Sequence, residues 1–255
     1  MKLSVIVPVY NMAVDGKLAY CLNSLVNQTI SDYEIIAVDD CSTDNSLEIL
    51  RSYEKKFPEK VKVIASPVNK KQGGAKNLGL ETARGEWIGF IDSDDWVTED
   101  FYEKLLNKAE ETGADMVGCD YHLTHRHDME IGTVVHNNKK EQTGVLDEEK
   151  YRSLILDGGS LVVKIYKRHI IMDYPNRFPE GIFYEDNAIG NSWKLRAKHF
   201  EYIEEPMYYY YQHDMSTVHT ISKERCEHRM EAARIMVKEA KEFNYLDKYY
   251  PEIES

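Results

Sequence analysis

A cluster of carboxylates follows an apolar run near the middle of the chain. Asp92, Asp94 and Asp95 come directly after the apolar residues 87–91. Carboxylates this close repel one another unless a cation lies between them. Mg²⁺ or Mn²⁺ is usually held by one or two carboxylates, with substrate phosphates completing the shell. The alternative is a helix N-cap, because Asp95 or Thr98 can start the helix that follows. The spacing alone leaves both interpretations open.

A second acidic pair, Glu185-Asp186, lies at a predicted helix start, and taken alone this position favours helix capping. Two common nucleotide-binding motifs are missing from the sequence. Residues 70–75 contain glycine but lack the spacing of a phosphate-binding P-loop, and no GxGxxG sequence follows the first predicted strand. A dinucleotide-dependent enzyme is therefore disfavoured.

The elements that must position these carboxylates alternate between strand and helix patterns. Short apolar runs predict strands over residues 3–9, 33–38, 61–65 and 87–91, with helices between them. This alternation predicts an α/β fold with a doubly wound sheet. In such sheets ligands bind beyond the carboxyl ends of the strands. Polar residues lie at those ends here, namely Tyr10-Asn11, Asp39-Asp40 and Asp92-Ser93-Asp94-Asp95.

The later part of the chain predicts further elements and a polar connection. Residues 122–142 are polar and irregular, which predicts a hairpin or loop. No low-complexity linker separates the two parts, so we expect them to pack directly together. The expected helices run from Thr98 to about Gly113, over 184–197 and over 223–243, and the expected strands over 115–121, 161–166 and 202–211.

Composition limits the class of protein. The 255 residues carry a formal net charge of -12, which disfavours binding to nucleic acid or to anionic lipid. The 4 cysteines are widely spaced, so neither a disulfide framework nor a thiolate zinc site is expected. The sequence lacks the features of a signal peptide, and no apolar run is long enough to span a bilayer. We therefore expect a cytoplasmic protein without a transmembrane segment.

Several segments resemble, in order, the motifs of the family 2 glycosyltransferases. Residues 3–11 resemble the opening strand of that family, and residues 38–44 resemble its second-strand motif, where glycine more often occupies the position of Cys41. Residues 74–80 are similar to its ARNxG helix, and residues 90–95 to its DxD motif. Glu185-Asp186 is similar to its late ED pair, and the resemblance extends from Leu3 to about His219.

The resemblance implies a GT-A fold, which is a Rossmann-like, doubly wound and mostly parallel sheet with an appended acceptor-side region and a C-terminal helix. It implies a nucleotide-sugar-binding half over residues 1–97. Residues 98–220 would then form the acceptor-binding half, which carries the catalytic base, and residues 221–255 a C-terminal helical tail.

The resemblance also implies roles for individual residues. Asp186 is expected to act as the catalytic base, with Glu185 positioning it or binding the acceptor. Asp94 is expected to bind a Mn²⁺ or Mg²⁺ cofactor directly, with Asp92 facing the metal or the ribose and His213 as a further ligand. The expected nucleotide-binding residues are Pro8, Val9, Tyr10, Asp39, Asp40, Lys76, Asn77, Asp92 and Ser93.

Some of these residues carry finer expectations. Asp40 is expected to hydrogen-bond the base edge, with Asp39 beside it. Lys76 stands where the family usually has arginine, so it can meet a phosphate as a point charge but not through two parallel hydrogen bonds. Lys164 and Tyr166 occupy the place of a K-x-Y segment in relatives, which implies contact with acceptor or phosphate. Simple exposure of Lys164 is the alternative.

The histidines are open to more than one interpretation. The resemblance implies that His213 reaches the metal or diphosphate, and a polar residue at a strand end is the alternative. His122, His125 and His127 have spacing that suits a metal, but no nearby cysteine or acidic partner completes a zinc site. A solvated loop is the favoured interpretation of these three.

The implied activity is inverting, non-processive transfer of a single sugar from a nucleotide-diphosphate sugar, with UDP favoured, to the hydroxyl of a glycan or lipid-linked acceptor. Cell-surface polysaccharide or glycan biosynthesis is the implied pathway. The chain lacks the Q-x-x-R-W motif and the membrane helices of processive synthases. The polar C-terminal helix is compatible with packing on the catalytic domain, with a homodimer, or with a peripheral position at the inner face of the cell membrane.

Two other functions remain as alternatives. A catalytically inactive nucleotide-sugar-binding subunit is disfavoured because Asp92, Asp94 and Asp186 are intact. A sugar nucleotidyltransferase is disfavoured because residues 12–17 do not resemble the loop, rich in glycine and arginine, that follows the first strand of those enzymes.

Overall fold

A computed structural model describes residues 1–125, 132–212 and 222–254. The described strands are β1 (Leu3–Val9), β2 (Tyr33–Asp39), β3 (Val61–Ala65), β4 (Trp87–Phe90), β5 (Trp96–Val97), β6 (Met116–Thr124), β7 (Thr133–Val135), β8 (Gly144–Val145), β9 (Lys164–Lys167) and β10 (His199–Tyr211). The described helices are α1 (Lys17–Val26), α2 (Ser46–Lys56), α3 (Lys71–Thr82), α4 (Phe101–Thr112), α5 (Glu148–Leu156), α6 (Arg168–Met172), α7 (Glu185–Arg196), α8 (Lys223–Glu242) and α9 (Leu246–Glu254).

The described strands form one sheet in the order β3-β2-β1-β4-β9-β6-β10-β5, with β7 beside β6 and β8 beside β10. Strands β1 to β4 pair in parallel, and β6 pairs in parallel with β10. Strand β9 lies antiparallel between β4 and β6 and joins these two parallel blocks. The predicted doubly wound and mostly parallel sheet is confirmed.

Apolar side chains fill a core on each face of the sheet. Successive residues of a strand point to opposite faces. Val5 and Val7 of β1 therefore pack with Leu22 of α1 in one core, whereas Ile6 packs with Trp193 of α7 in the other. All seven residues of β1 are buried, which explains its nearly continuous apolar sequence. Helices on both faces thus hold the ends of the central strands rigidly.

Most element positions agree with the sequence prediction to within a few residues. The predicted hairpin or loop over 122–142 is a hairpin in part, because β6 extends to Thr124 and pairs antiparallel with β7. The sequence analysis did not identify helices α5, α6 and α9 or the short strands β5 and β8. Helix α5 buries only Leu154 and Ile155 near its end, and α9 contains Pro251, so neither shows a sustained apolar stripe.

The C-terminal helices pack against the rest of the chain. Glu239 of α8 is buried and accepts hydrogen bonds from Ser192 of α7 and from Asn176, the latter at 2.7 Å. Ile253 of α9 joins Ile155 of α5 in a small apolar cluster. Packing on the preceding part of the chain is therefore the arrangement that the structure shows for α8 and α9. No helix in the described ranges has the length and hydropathy to cross a membrane.

Candidate active site

The turns after β1 and β2 are tied together by Asn11. Its backbone has a φ of 52°, in the left-handed region that asparagine tolerates better than most residues. The Asn11 side-chain oxygen accepts a hydrogen bond from the Thr43 amide at 2.8 Å, and the Asn11 amide donates to the Ser42 hydroxyl at 3.0 Å. These bonds hold the two turns together at the carboxyl ends of adjacent parallel strands, where ligands bind in such sheets.

The residues at the end of β1 differ in exposure. Pro8 and Val9 are buried, and the Val9 side chain belongs to the core on the α1 face. The Val9 carbonyl accepts the Asp40 amide at 2.8 Å. Tyr10 is 46% exposed, so it is the one of these three whose side chain is open to a ligand. Nucleotide contact by Pro8 and Val9 stays a prediction.

Asp39 is the last residue of β2 and Asp40 follows it, and both are 2% exposed. One carboxylate oxygen of Asp40 accepts the Lys70 amide at 2.8 Å, and one oxygen of Asp39 accepts the Ser42 amide at 3.2 Å. Burial raises the pKa of Asp40, although main-chain donors at Lys70 and Lys71 act against it. The other oxygen of Asp39 is buried without a partner, and such an atom is costly unless a ligand satisfies it.

Asp92 stands at the centre of the acidic cluster after β4. Its Oδ1 atom is buried without a hydrogen-bond partner. Burial raises the pKa of Asp92 to about 7. The Lys76 ammonium opposes this shift, whereas the carboxylates of Asp94, Glu185 and Asp186 reinforce it. The acidic cluster after β4 and the acidic pair at α7 are far apart in the sequence. They nevertheless share one electrostatic environment.

Asp95 has a different role from its neighbours. It is fully buried, and its carboxylate accepts the Tyr211 amide at 2.8 Å and the Tyr208 hydroxyl, so it holds β10 against this edge of the sheet. The following helix α4 has Asp100 at its N-cap, without a side-chain capping bond. The alternative that Asp95 or Thr98 caps this helix is therefore wrong.

The second acidic pair forms the first turn of α7. The N-cap residue is Tyr184, which has a φ of 64° and makes no side-chain capping bond, so the acidic pair lies inside the first turn and does not supply the N-cap. Glu185 is 5% exposed and lies 2.6 Å from the Lys76 ammonium. Asp186 is half-buried, and one of its oxygens accepts the Asn187 amide at 2.9 Å. Burial raises the pKa of Asp186, Glu185 adds to the effect and Lys76 opposes it.

Helix α3 brings the two acidic groups together. Lys76 is 2% exposed and also donates to the Gln72 side chain at 3.1 Å. Burial lowers the pKa of Lys76, but the surrounding carboxylates outweigh burial and hold it above its usual value. A Cβ atom at Gly73 would lie 2.1 Å from the Pro179 carbonyl oxygen. Glycine at this position therefore allows α3 to approach the segment that leads into α7.

Asn77 fastens the same segment. Its amide nitrogen donates to the Phe178 carbonyl at 2.9 Å, and its oxygen accepts the Phe178 amide at 3.1 Å. The Lys76 ammonium lies 5.3 Å from the centre of the Phe178 ring. Asn77 thus braces the site, and the predicted contacts of Asn77 and Lys76 with the nucleotide stay predictions.

The donor set suits a cation that shares its shell with a substrate. No group of three or more metal-binding side chains occurs in the described ranges. Asp92 and Asp94, with the unpartnered Oδ1 of Asp92, fit Mg²⁺ or Mn²⁺ whose remaining ligands are phosphate oxygens and water. Ser93 between them is buried. His213 lies outside the described residues.

Lys164 was misjudged from the sequence. It is 1% exposed, and its ammonium donates to the carbonyls of Gly158 and Ser160, each at 2.8 Å. Simple exposure therefore does not describe it, and its ammonium is bound to the loop before β9. Tyr166 donates its hydroxyl to the Leu161 carbonyl at 3.1 Å. A charged residue within an apolar stretch was the available signal for a buried, carbonyl-bound lysine.

The sequence analysis also did not identify a cavity next to Asp186. Its volume is about 460 Å³, and it lies between residues 157–161 and α7. Lys194, about two helical turns beyond Asp186, also lines it. No sequence motif predicted this cavity, because the residues that line it come from separate parts of the chain.

The histidines of the β6 end do not form a metal site within the described ranges. The His122 ring stacks on Tyr209, with centres 4.7 Å apart, and the His125 ring lies 3.0 Å from the Gln212 carbonyl. His127 lies outside the described residues.

Comparisons with known proteins agree with this geometry. The family model described as "Glycosyl transferase family 2" matches residues 4–174, a range that ends before Glu185. The uncharacterized glycosyltransferase YibD of Escherichia coli (strain K12) is 30% identical over 98% of this chain and 74% of its own length. The putative glycosyltransferase EpsH of Bacillus subtilis (strain 168) is 32% identical over 99% of this chain and 73% of its own length.

A solved structure shares the fold. The crystal structure of S. aureus TarS in complex with UDP-GlcNAc superposes with a TM-score of 0.76 at 25% identity, covering 99% of this chain and 72% of that chain. This structural likeness confirms the GT-A fold that the motifs implied.

Proposed function

Because the chain belongs to glycosyl transferase family 2, we propose that it transfers a single sugar from a nucleoside-diphosphate sugar to an acceptor hydroxyl, with inversion at the anomeric carbon. The buried ion pair between Lys76 and Glu185, 2.6 Å long, carries this proposal. It joins α7, which bears Asp186, to α3, and the Lys76 ammonium also interacts electrostatically with Asp92 of the cluster after β4. Sugar transfer in one displacement step requires a base for the acceptor hydroxyl and a group that binds a cation near the leaving diphosphate, both in the same site.

The donor half is residues 1–97, and UDP is the nucleotide we favour. The unpaired buried oxygen of Asp39 and the exposed ring of Tyr10 lie at adjacent strand ends, where they suit the edge and the face of a base. The UDP-GlcNAc complex of the similar TarS structure supports a UDP-sugar. Asp40 contacts the nucleotide through its second carboxylate oxygen, since its first oxygen accepts a hydrogen bond from the Lys70 amide.

The leaving diphosphate lies at Asp92 and Asp94. A divalent cation bound there would stabilise the negative charge that grows on the diphosphate as the bond to the anomeric carbon breaks. Lys76 keeps Glu185 in place from within the protein. These residues fix the donor while the acceptor oxygen attacks from the opposite side of the sugar.

Asp186 accepts the proton of the attacking hydroxyl. Its raised pKa, caused by burial and by the neighbouring Glu185, makes it a better proton acceptor than an exposed carboxylate. The new bond joins the acceptor oxygen to the anomeric carbon, and the diphosphate leaves. One carboxylate is enough for this inverting step, unlike the two that glycosidases need. We propose that residues 98–220 bind the acceptor, which is a glycan or a lipid-linked molecule. The product is then a cell-surface polysaccharide or glycan.

Calorimetric titration tests the donor side. UDP, GDP and CDP are titrated into the protein with and without Mn²⁺, and into the Asp94→Ala and Asp173→Ala variants. We expect UDP to bind with Mn²⁺, with about tenfold or greater loss of affinity in Asp94→Ala, because a direct ligand to the cation is removed. Asp173 is exposed at the end of α6, so its variant should match the wild type. Absence of binding by every nucleotide, with or without Mn²⁺, contradicts the proposed function.

A further inference from the structure

A cavity beside Asp186 lies apart from the residues assigned to the donor. It has a volume of about 460 Å³ and is lined by residues 157–161, by Tyr166 of β9, and by Asp186, Asn191 and Lys194 of α7. A volume of this size accommodates a monosaccharide or polyol with a substituent. Since Asp186 is one of the lining residues, an occupant lies next to the proposed base.

The wall opposite α7 has a fixed shape. Lys164 donates from behind the wall to two of its carbonyls, Gly158 and Ser160, and the Asn137 side-chain oxygen accepts the Ser160 amide at 2.7 Å. Gly159 has a φ of 62°, and a Cβ atom there would lie 2.0 Å from the Asn137 carbonyl oxygen. A loop held by buried donors and acceptors in this way is formed before a ligand arrives.

Lys194 provides a cation inside this cavity. Its ammonium donates to the Asn191 side chain at 3.1 Å, and no carboxylate in the described ranges lies within ion-pair distance of it. Asp157, a neighbouring carboxylate, instead pairs with Lys139 at 2.9 Å. Burial lowers the pKa of Lys194 to about 8. Asp186 and Asp157 oppose this shift from a distance but form no ion pair with Lys194, and an anion in the cavity would supply a direct partner.

Resting on the proposed function, we propose that this cavity binds the acceptor and that Lys194 recognises an anionic group on it. The anion is a phosphate or a carboxylate carried by the sugar or polyol whose hydroxyl faces Asp186. This proposal is supported by the position of Asp186 and Lys194. Both residues lie on α7 and line the same preformed cavity, and Lys194 has no ion-pair partner among the described residues. The acceptor class is then an acidic glycan or a polyol phosphate, and neutral sugars are disfavoured.

Matched pairs of small probes test the anion site without knowledge of the natural acceptor. Methyl β-D-glucuronide is compared with methyl β-D-glucoside, and glycerol 3-phosphate with glycerol, by ligand-observed NMR on the full chain with and without UDP and Mn²⁺. We expect at least one anionic probe to bind about tenfold or more tightly than its neutral twin. The two arms distinguish a carboxylate from a phosphate as the recognised group.

Variants of Lys194 test whether this side chain causes the preference for the anionic probe. Lys194→Gln should abolish the preference while leaving the affinities for UDP and for the neutral probes unchanged, and Lys194→Arg should retain it. Lys238→Gln is the matched control, because Lys238 is exposed on α8. Equal affinity of the wild type for both members of each pair, no binding of any probe, or a preference that survives in Lys194→Gln would each overturn the inference. UDP binding is read in the same samples, so failure of this inference is distinguished from failure of the proposed function.

Discussion

The donor and acceptor sides of the site are built in different ways. On the donor side, the polar groups follow β1, β2 and β4 directly, and short-range bonds such as those of Asn11 to Thr43 join neighbouring turns. On the proposed acceptor side, Lys164 and Asn137 hold the loop at residues 157–161, and Asp186, the proposed base, lies in the first turn of α7. A site at strand ends is fixed by the sheet itself. A site made from a loop and a helix instead depends on contacts such as those of Lys164 and Asn137.

The largest expected effect separates acceptor-side chemistry from donor binding. Asp186→Asn should lower kcat by about 10² to 10⁴, because general-base assistance is lost, while the affinity for UDP stays unchanged. Sugar transfer is measured by UDP release, and UDP affinity by calorimetry. Asp173→Asn, an exposed change of the same kind, should have wild-type kcat. Full activity of Asp186→Asn would exclude Asp186 as the base.

The second prediction concerns the lysine that connects the two sides. Lys76→Met leaves the Glu185 carboxylate buried without a cation, so the free energy of unfolding should fall by about 3–5 kcal/mol in denaturant titrations. Lys70→Met is the matched control, since the Lys70–Glu180 pair is solvent-accessible and its loss should cost less than about 1 kcal/mol. Equal destabilisation by both variants would show that burial of the Lys76 pair does not matter.

A smaller loss of stability is expected where α3 fastens the segment before α7. Asn77→Ala removes both hydrogen bonds to the Phe178 main chain and leaves buried polar groups unsatisfied, so unfolding should be easier by about 1–3 kcal/mol. Asn107→Ala, an exposed change on α4, should stay within about 0.5 kcal/mol of the wild type. If Asn77→Ala is as stable as Asn107→Ala, the bracing role is wrong.

The smallest expected effect is a pH dependence confined to the acceptor side. The groups that act on Lys194 are Asp186 of its own helix, Asp157 and the buried Lys164. Because the pKa of Lys194 is about 8, its ammonium is present below that pH and is lost above it. Binding of methyl β-D-glucuronide should thus be constant from about pH 6 to 7 and weaken about tenfold by pH 9, since each pH unit above the pKa removes nine-tenths of the remaining cation.

The same titration has a control and a consequence for stability. Lys194→Arg keeps its charge over this range, so its affinity for the probe should not fall. An unfolded lysine keeps its proton to about pH 10.4, so the native state gains stability from this group as pH rises from 8 towards that value. Probe affinity that is independent of pH in the wild type would contradict the role of Lys194.

Much of the donor side was predictable because its signals are local. The apolar run of β1 indicated a strand buried on both faces, and carboxylates at strand ends indicated a site at the carboxyl edge of the sheet. The sequence left open whether Asp95 caps a helix. The structure answers this through Tyr208 and Tyr211, which lie more than a hundred residues further along the chain. Contacts of that range leave no periodic signal.

The acceptor side was predicted less well for a related reason. Lys164 was expected at the surface or at a ligand, yet it is buried and bound to loop carbonyls. A lysine can be buried only where enough acceptors converge on it, and the sequence does not show that convergence. Helices α5 and α9, which enclose this side, have too few buried positions to stand out as apolar stripes.

The sequence by itself determined the alternation of strands and helices and the positions of the polar strand ends, since both depend on periodic burial within a few residues of one another. Only the tertiary structure decided which charges become partners. Lys76 meets Glu185 across 109 positions of the chain, Asp39 keeps an unpaired oxygen, and Lys194 has no described carboxylate partner. The physical reason is that the energy of a charge depends on its burial and on its nearest neighbours in space, which packing brings together from distant parts of the chain.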